Sequence, residues 1–349
     1  MRLRDVRELG LRMQHRRILW NAQIDLTNRC NEDCIHCLRN TDCAHELSLE
    51  EIKGILIQLK EEGCIRLILS GGEVFLREDI WDILRFARKM GFGFDIKTNG
   101  LMISRNNIKR LKAIQPLSVH FSVYGASPQV HESITRVPGS FERTMRAIRL
   151  CRDNGMSVLI ATIVFNNNFH ELTSIKKMAK EEGCDFIADF IIMPGVSGER
   201  GPLRLRSTEE QLKSAFKRRL LTWGLNNRNK KYRSGRTLDG GRSSIHISSN
   251  GKVYVSVTLR IEVGDLRQQN LREIWRNSPK LNWLHSLAEK DFGCYDCRDK
   301  TVCLCRRPDL AFLEHGDLKA KPLEICRINK IYSDYHREKE QAYARARQG

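Results

Sequence analysis

The stretch Cys30-Asn31-Glu32-Asp33-Cys34-Ile35-His36-Cys37 places three thiols at C-x3-C-x2-C spacing. Three thiolates on one tight loop can hold three corners of a cubane iron–sulfur cluster, each sulfur meeting a different iron. The fourth iron then has no protein ligand nearby, and an open coordination position is where chemistry enters. A closed structural site would take a fourth ligand close by; Cys43, six residues on, is placed to supply it. A second group lies far downstream: Cys294-x2-Cys297-x5-Cys303-x-Cys305, with Cys326 beyond. Cysteines at that spacing bind a metal, and zinc competes with an iron–sulfur cluster because both use C-x2-C. The scattered Cys43, Cys64, Cys151 and Cys184 read as small buried hydrophobes.

With 349 residues the chain can bury a substantial core, as two domains or as one plus an appendage. Its net charge of +18 favours acidic partners (a nucleic acid, an acidic peptide or an anionic small molecule) or else is a basic surface with no specific partner. No apolar run is long enough for a membrane span, and the Arg-rich residues 1–17 lack a signal peptide's apolar segment. A cytoplasmic, reducing location is expected, without membrane attachment, so grouped cysteines read as ligands rather than disulfides.

The elements that must position the first cysteines alternate regularly. Apolar residues around Ile18–Leu26 predict a strand that delivers the chain into the loop. Ser48-Leu49-Glu50-Glu51 is a capping box opening a helix through Glu62, which Gly63 ends. Strands are predicted at Cys64–Leu69, Phe92–Lys97, Leu117–Val123, Val158–Phe165 and Phe186–Met193, with helices at about 78–91, 104–113, 141–154 and 169–182 between them. Strands alternating with helices imply a parallel α/β sheet, and such folds bind ligands at the carboxyl ends of their strands. The first four strands end in the cysteine loop, in Ser70-Gly71-Gly72-Glu73, in Thr98-Asn99-Gly100, and in Ser122 with Tyr124-Gly125. All four would converge on one mouth. Between Arg200 and Arg236 stand twelve Lys/Arg against Glu209 and Glu210, partly as a helix over Glu209–Trp223. That segment is either a solvated bridge or a basic wall steering an acidic substrate. Asn250-Gly251 between Ser244–Ser248 and Lys252–Val257 signals a type I′ hairpin. A helical stretch over Leu271–Leu287 is broken or kinked by Pro279, and the run from Tyr332 reads as a solvated helix or tail.

The cysteine loop resembles the C-x3-C-x-aromatic-C motif of radical S-adenosylmethionine (SAM) enzymes, with His36 at the aromatic position. The resemblance extends through the strand ends in order. It implies a partial (β/α)6 barrel and a 4Fe–4S cluster with an open iron on Cys30, Cys34 and Cys37. By the same resemblance Gly71 and Gly72 let backbone approach the methionine part of SAM, and Glu73 takes its ammonium. Val74 stands where proline is more usual. Thr98 and Asn99 match the third-strand element, Ser122 lies near the ribose, and Arg136 of His131-Glu132-Ser133-Ile134-Thr135-Arg136 meets the SAM carboxylate. Gly240 to Cys326 resembles the SPASM/twitch extension of peptide-modifying members. Leu238 and Ser256 stand where its first two cysteines would be, so one auxiliary 4Fe–4S cluster is implied on Cys294, Cys297, Cys303 and Cys326, with Cys305 spare or replacing Cys303.

The organisation expected is a basic segment 1–17, a barrel 18–195, a basic linker 196–239, a SPASM-like region 240–331 and a C-terminal helix or tail 332–349. The resemblance implies reductive cleavage of SAM to a 5′-deoxyadenosyl radical that abstracts hydrogen from a substrate C–H bond. A ribosomally made peptide is the expected substrate, receiving a crosslink, a thioether or an epimerised residue. A reductant such as flavodoxin or ferredoxin and a separate peptide carrier protein go with it. The rivals are tailoring of a small molecule (a porphyrin, sugar or antibiotic precursor) and a non-enzymatic iron–sulfur or zinc protein binding nucleic acid, for which no recognition module is present. No residue marks itself as catalytic acid, base or radical quencher.

Overall fold

The computed structural model describes residues 16–37, 44–195, 199–218, 220, 241–293, 295–297 and 308–346. Side-chain alternation decides how its sheet is used. Strands β1 (Asn21–Asp25), β2 (Arg66–Ser70), β3 (Gly93–Thr98), β4 (Ser118–Ser122) and β5 (Val158–Ile163) point successive residues to opposite faces. Ala22, Ile24, Leu67, Leu69, Phe94, Ile96, Val119, Phe121, Val158 and Ile160 all enter one core. Helices α1 (Leu49–Glu61), α2 (Ile80–Lys89) and α3 (Ile108–Ile114) close it with Ile52, Leu56, Ile83, Leu84 and Leu111. The opposite face carries Gln23, Asp25, Arg66, Asp95, Lys97, Ser118 and His120. Parallel sheets are ordinarily apolar on both faces; a polar inner face belongs to strands that surround a cavity.

After β4 come α4 (Pro128–Thr135) and α5 (Ser140–Asp153), and after β5 come α6 (Leu172–Glu181) and β6 (Asp185–Asp189). Only the second of the two helices after β4 was expected. Ser127 caps α4 by accepting from the Val130 N–H, and Pro128 occupies its first turn, where a missing N–H costs nothing. The six strands are parallel throughout, which makes the partial (β/α)6 barrel expected from the sequence. The capping box of Ser48 and Glu51 is formed on α1.

Helix α7 (Glu209–Lys217) precedes strands β7 (Ser244–Ile247), β8 (Lys252–Tyr254) and β9 (Glu262–Asp265). Among the described residues the sheet order is β6-β5-β4-β3-β2-β1-β7-β8-β9. β7 lies parallel to β1, with Gln23 opposite His246, so the C-terminal hairpin continues the barrel sheet past its first strand. The hairpin turn differs from the expectation. Gly251 has φ of +89°, whereas Asn250 has no positive φ, so the turn is not type I′; the Gly251 N–H bonds back to the Ser248 carbonyl. Pro279 does divide its helix, opening α9 (Pro279–Ser286) after α8 (Leu271–Asn277).

The run from Tyr332 is helical, one of the two forms expected of it, but its start is packed rather than solvated. Helix α11 (Leu323–Ala346), preceded by α10 (Pro308–His315), begins before that residue, and it buries Ile325, Ile328, Ile331, Tyr332 and Ser333. The Phe216 ring of α7 lies 5.1 Å from Tyr332. Within the basic segment, Arg206 joins Glu314 of α10 to Glu324 of α11, whereas Lys213 pairs with Glu209 within α7. The basic residues 219, 228, 230, 231, 233 and 236, and positions 221–223 of the expected helix, lie outside the described residues.

Candidate active site

The cysteine loop is held by backbone, and from three sides. Where the chain leaves β1, the Arg77 guanidinium donates to the carbonyls of Leu26 (2.8 Å) and Leu47 (3.0 Å) while paired to Asp79. Glu46 accepts from the Thr27 hydroxyl and the Asn28 N–H. Next, the Gly-Gly-Glu segment lies flat on residues 27–29. Gly72 N–H donates to the Thr27 carbonyl at 2.7 Å and Glu73 N–H to the Arg29 carbonyl at 2.8 Å. A Cβ on Gly71 would stand 2.3 Å from the Thr27 oxygen, and one on Gly72 2.1 Å from the Arg29 oxygen. The glycines are therefore demanded by the approach of two protein backbones. Last, the C-terminal carbonyls of α4 take the loop's N–H groups: Asp33 donates to Thr135 and Ile35 to Ile134, each at 3.1 Å. Arg136, in the left-handed conformation that ends α4, reaches back to the Asp33 carboxylate at 3.1 Å.

Cys30 and Cys34 are half-buried, Cys37 is exposed, and none is in a disulfide. Burial, then the Glu32 carboxylate and the neighbouring Cys37 and Cys30 thiols, push the Cys34 thiol far above its ordinary range. A thiol that resists ionising beside two others fits a cationic guest, which supplies the missing positive charge. Among the described residues, no three His, Cys, Asp or Glu side chains are gathered for a single metal ion. Cys43 lies outside the described residues.

Glu73 is completely buried, and four hydrogen bonds reach its carboxylate: two from the shared Thr98 hydroxyl at 2.8 and 2.9 Å, one from Asn99 N–H at 2.8 Å and one from Phe75 N–H at 3.1 Å. Burial nonetheless raises its pKa to about 6. Its side chain thus braces the ends of β2 and β3, and what it offers an incoming ammonium is charge rather than an empty lone pair. Asn99 extends the brace to the cysteine loop through Asn31 Oδ1 (2.7 Å) and the Cys30 sulfur (3.9 Å). Ser122 ends β4, half-buried, and is hydrogen-bonded to the buried Tyr124 hydroxyl. His36 is turned inward, its ring 4.8 Å from Tyr124 and 4.7 Å from Phe165. Burial lowers its pKa to about 4, so it is a neutral plug under the loop. Cys30, Cys34, Cys37, Gly71, Gly72, Glu73, Thr98, Asn99 and Arg136 are thus brought together around one loop, with His36 beneath it and Ser122 beside its aromatic wall.

His131 is fully buried; its Nδ1 accepts the Tyr124 N–H at 3.2 Å, and burial lowers its pKa to about 4. The unfolded imidazole gains its proton as pH falls through about 6.5, the folded one only near 4. Its contribution is therefore complete above pH 6.5 and lost as pH falls towards 4, amounting to about 3 kcal/mol over that window. Urea midpoints followed from pH 7.5 to 5 should fall less steeply in His131→Gln, which keeps an acceptor for Tyr124. An unchanged slope would remove this assignment.

Sequence reasoning missed a polar network on the inner sheet face. Asp95 accepts from Arg66 at 2.6 Å and from Ser118 at 2.7 Å, and Ser118 meets His120 at 2.7 Å. Asp25 meets His246 across the β1–β7 junction at 2.7 Å. Burial opposes the Asp25 charge, but His246, Gln23 and Lys97 together hold its pKa below the usual value. The available signal was polar residues at every second position of strands otherwise rich in Ile, Leu and Phe.

In the C-terminal region, Cys297 and Cys326 are half-buried and unbridged, while Cys294, Cys303 and Cys305 lie outside the described residues. At Ser256, where the sequence resemblance expects a cysteine, the hydroxyl accepts the Leu259 N–H at 2.9 Å and meets Thr258, which donates to Asp309 at 2.6 Å. A closed hydroxyl turn occupies that place.

Residues 24–179 match the model of the radical SAM superfamily, and residues 239–298 match that of the SPASM iron–sulfur cluster-binding domain. The AdoMet-dependent heme synthase of Methanosarcina barkeri is 28% identical over 347 residues, covering 88% of this chain and 96% of that protein. The antilisterial bacteriocin subtilosin biosynthesis protein AlbA of Bacillus subtilis is 28% identical over 167 residues, 47% of this chain and 37% of that one. Among solved structures, SuiB of Streptococcus suis bound to S-adenosylmethionine superposes with a TM-score of 0.67 at 14% identity, over 93% of this chain and 81% of that one. The chain thus carries a radical SAM domain followed by a SPASM domain. It is an enzyme of the SPASM type, whose cofactors are SAM and 4Fe–4S clusters. Among the described residues, no helix is long and apolar enough to cross a membrane.

Proposed function

We propose that this radical SAM enzyme acts on a small carboxylate-bearing molecule of the porphyrin type. The observation that carries the reading is the extent of the heme synthase relationship, which runs through 88% of this chain and 96% of that protein, from barrel to cysteine-rich end. The bacteriocin relative is matched over less than half of either chain.

Cys30, Cys34 and Cys37 hold the SAM-binding cluster in this reading. The auxiliary cluster sits on Cys294, Cys297 and Cys326 with Cys303 or Cys305. A cluster held by Cys30, Cys34 and Cys37 would supply the one-electron reduction of SAM that makes hydrogen-atom abstraction from the substrate available. The chain's own work is positional. The Thr27–Arg29 segment and Gly71–Gly72 form the rigid floor of the cofactor site. Glu73 brings negative charge to the SAM ammonium, and Arg136 brings positive charge to its carboxylate. Thr98 and Asn99 keep Glu73 and the cysteine loop in register, and Ser122 faces the ribose. His36, Tyr124, Phe165 and His131 exclude water from beneath the cluster. Electrons come from a flavodoxin or ferredoxin in the cytoplasm.

A second reading, maturation of an acidic ribosomal peptide delivered by a separate carrier protein, is favoured by the AlbA match over 47% of this chain. Anaerobically reconstituted enzyme given SAM and reductant decides between the two. Release of 5′-deoxyadenosine should rise with an iron porphyrin bearing free propionates, together with a change in porphyrin mass. Stimulation by an acidic precursor peptide alone would replace the first reading with the second.

A further inference from the structure

Lys97 is a charged group of the inner face whose two nearest carboxylates, Asp25 and Asp95, are paired with other residues. Phe94 and Ile96 of β3 enter the helix-covered core, so Asp95 and Lys97 alternate to the other face. There Arg66 is matched to Asp95 at 2.6 Å, and Asp25 to His246 at 2.7 Å. Lys97 makes no ion pair among the described residues. Its ammonium lies across the face of β2 and reaches one neutral acceptor, Gln23 Oε1, at a long 3.4 Å. The side chain keeps exposed surface on the inner face of the sheet, where a ligand can reach it. Burial pulls its pKa down while the charges of Asp25 and Asp95 hold it up. Both of those carboxylates are already engaged elsewhere.

Its position in the chain matters equally. Lys97 immediately precedes Thr98 and Asn99, which bond Glu73 and the cysteine loop. An anion held by Lys97 is therefore seated on the strand whose end braces the cofactor site. We propose that Lys97 anchors a carboxylate of the substrate and so determines specificity for an acidic small molecule, an inference that rests on the porphyrin-type reading above. A charge-assisted hydrogen bond in an enclosed site strengthens binding by about tenfold or more.

The test is a visible-absorbance titration of the anaerobically reconstituted protein. The probes are an iron porphyrin with free propionates and the same porphyrin as its methyl esters. Wild type should bind the free acid about tenfold more tightly than the ester. Lys97→Gln should lose that preference with ester binding intact, and Lys97→Arg should keep it. A merely structural defect would weaken both ligands alike and leave their ratio unchanged. If Lys97→Gln still prefers the acid, the anchor is elsewhere and the inference falls while the substrate reading stands. If wild type binds neither porphyrin, the substrate reading falls and takes the inference with it.

Discussion

Replacing Cys30, Cys34 and Cys37 together with alanine should abolish SAM cleavage and lower iron after anaerobic reconstitution from about eight atoms per chain to about four. The fold should survive the change. The loop is held by N–H groups of residues 33 and 35 on the carbonyls of α4 and by Asn99 on Asn31, none of which involves a cysteine side chain. The substitution removes the 3.9 Å approach of the Asn99 amide to the Cys30 sulfur and the 3.4 Å hydrogen bond that the Cys34 thiol donates to Glu32, while those backbone bonds stay. Loss of iron with an unchanged urea midpoint would therefore report ligand removal rather than unfolding. The iron that remains belongs to the C-terminal cysteines. Iron falling from about four to none would mean that Cys294, Cys297, Cys303, Cys305 and Cys326 hold zinc or no metal. Iron unaffected by the triple substitution would withdraw the SAM-binding cluster from this loop.

A single methyl group at Gly72 should do nearly as much damage by a different route. The Cβ of Gly72→Ala would lie 2.1 Å from the Arg29 oxygen, 2.7 Å from its carbonyl carbon and 2.9 Å from the Asn28 oxygen. All three are backbone atoms, so no side chain can rotate away; one of the two backbone segments must move. That movement breaks the hydrogen bonds from Gly72 to Thr27 and from Glu73 to Arg29, which are what align the two loops. The expected cost is about 3–5 kcal/mol of stability, since two buried bonds and a steric clash are involved. Arg29 precedes Cys30, so the displacement reaches the first thiol directly, and iron incorporation at the loop should fall with the urea midpoint. A Gly72→Ala protein with both properties at wild-type values would show that these backbones are not in contact. Gly71→Ala should behave similarly, because its φ of +135° adds backbone strain to a 2.3 Å approach.

Local chemistry made much of this legible in advance. The spacing of Cys30, Cys34 and Cys37, the Gly-Gly-Glu and Thr-Asn-Gly strand ends and the capping box at Ser48 are each built from residues close together in the chain, and short-range sterics and hydrogen bonding set their form. Alternating strands and helices likewise imply a parallel sheet, because a parallel pair needs a crossover. The roles within that frame were less visible. Gly71 and Gly72 read as room for a ligand, and the fold uses them first as room for residues 27–29. Glu73 read as a hand for an ammonium, and its oxygens are tied to Thr98, Asn99 and Phe75.

By itself, then, the sequence determined the order of the elements and named a candidate ligand set at the carboxyl ends of the strands. Tertiary structure alone decided what the inner face looks like. His246 meets Asp25 from 221 residues away because β7 docks parallel on β1, a pairing that no local pattern encodes. Sheet packing likewise gives Asp25 and Asp95 their ion pairs, while Lys97 makes none among the described residues. The burial of Tyr332 against α7 has the same origin. An ion pair or buried ring requires two segments to meet, and which distant segments meet is fixed by packing of the whole sheet rather than by either segment's own residues.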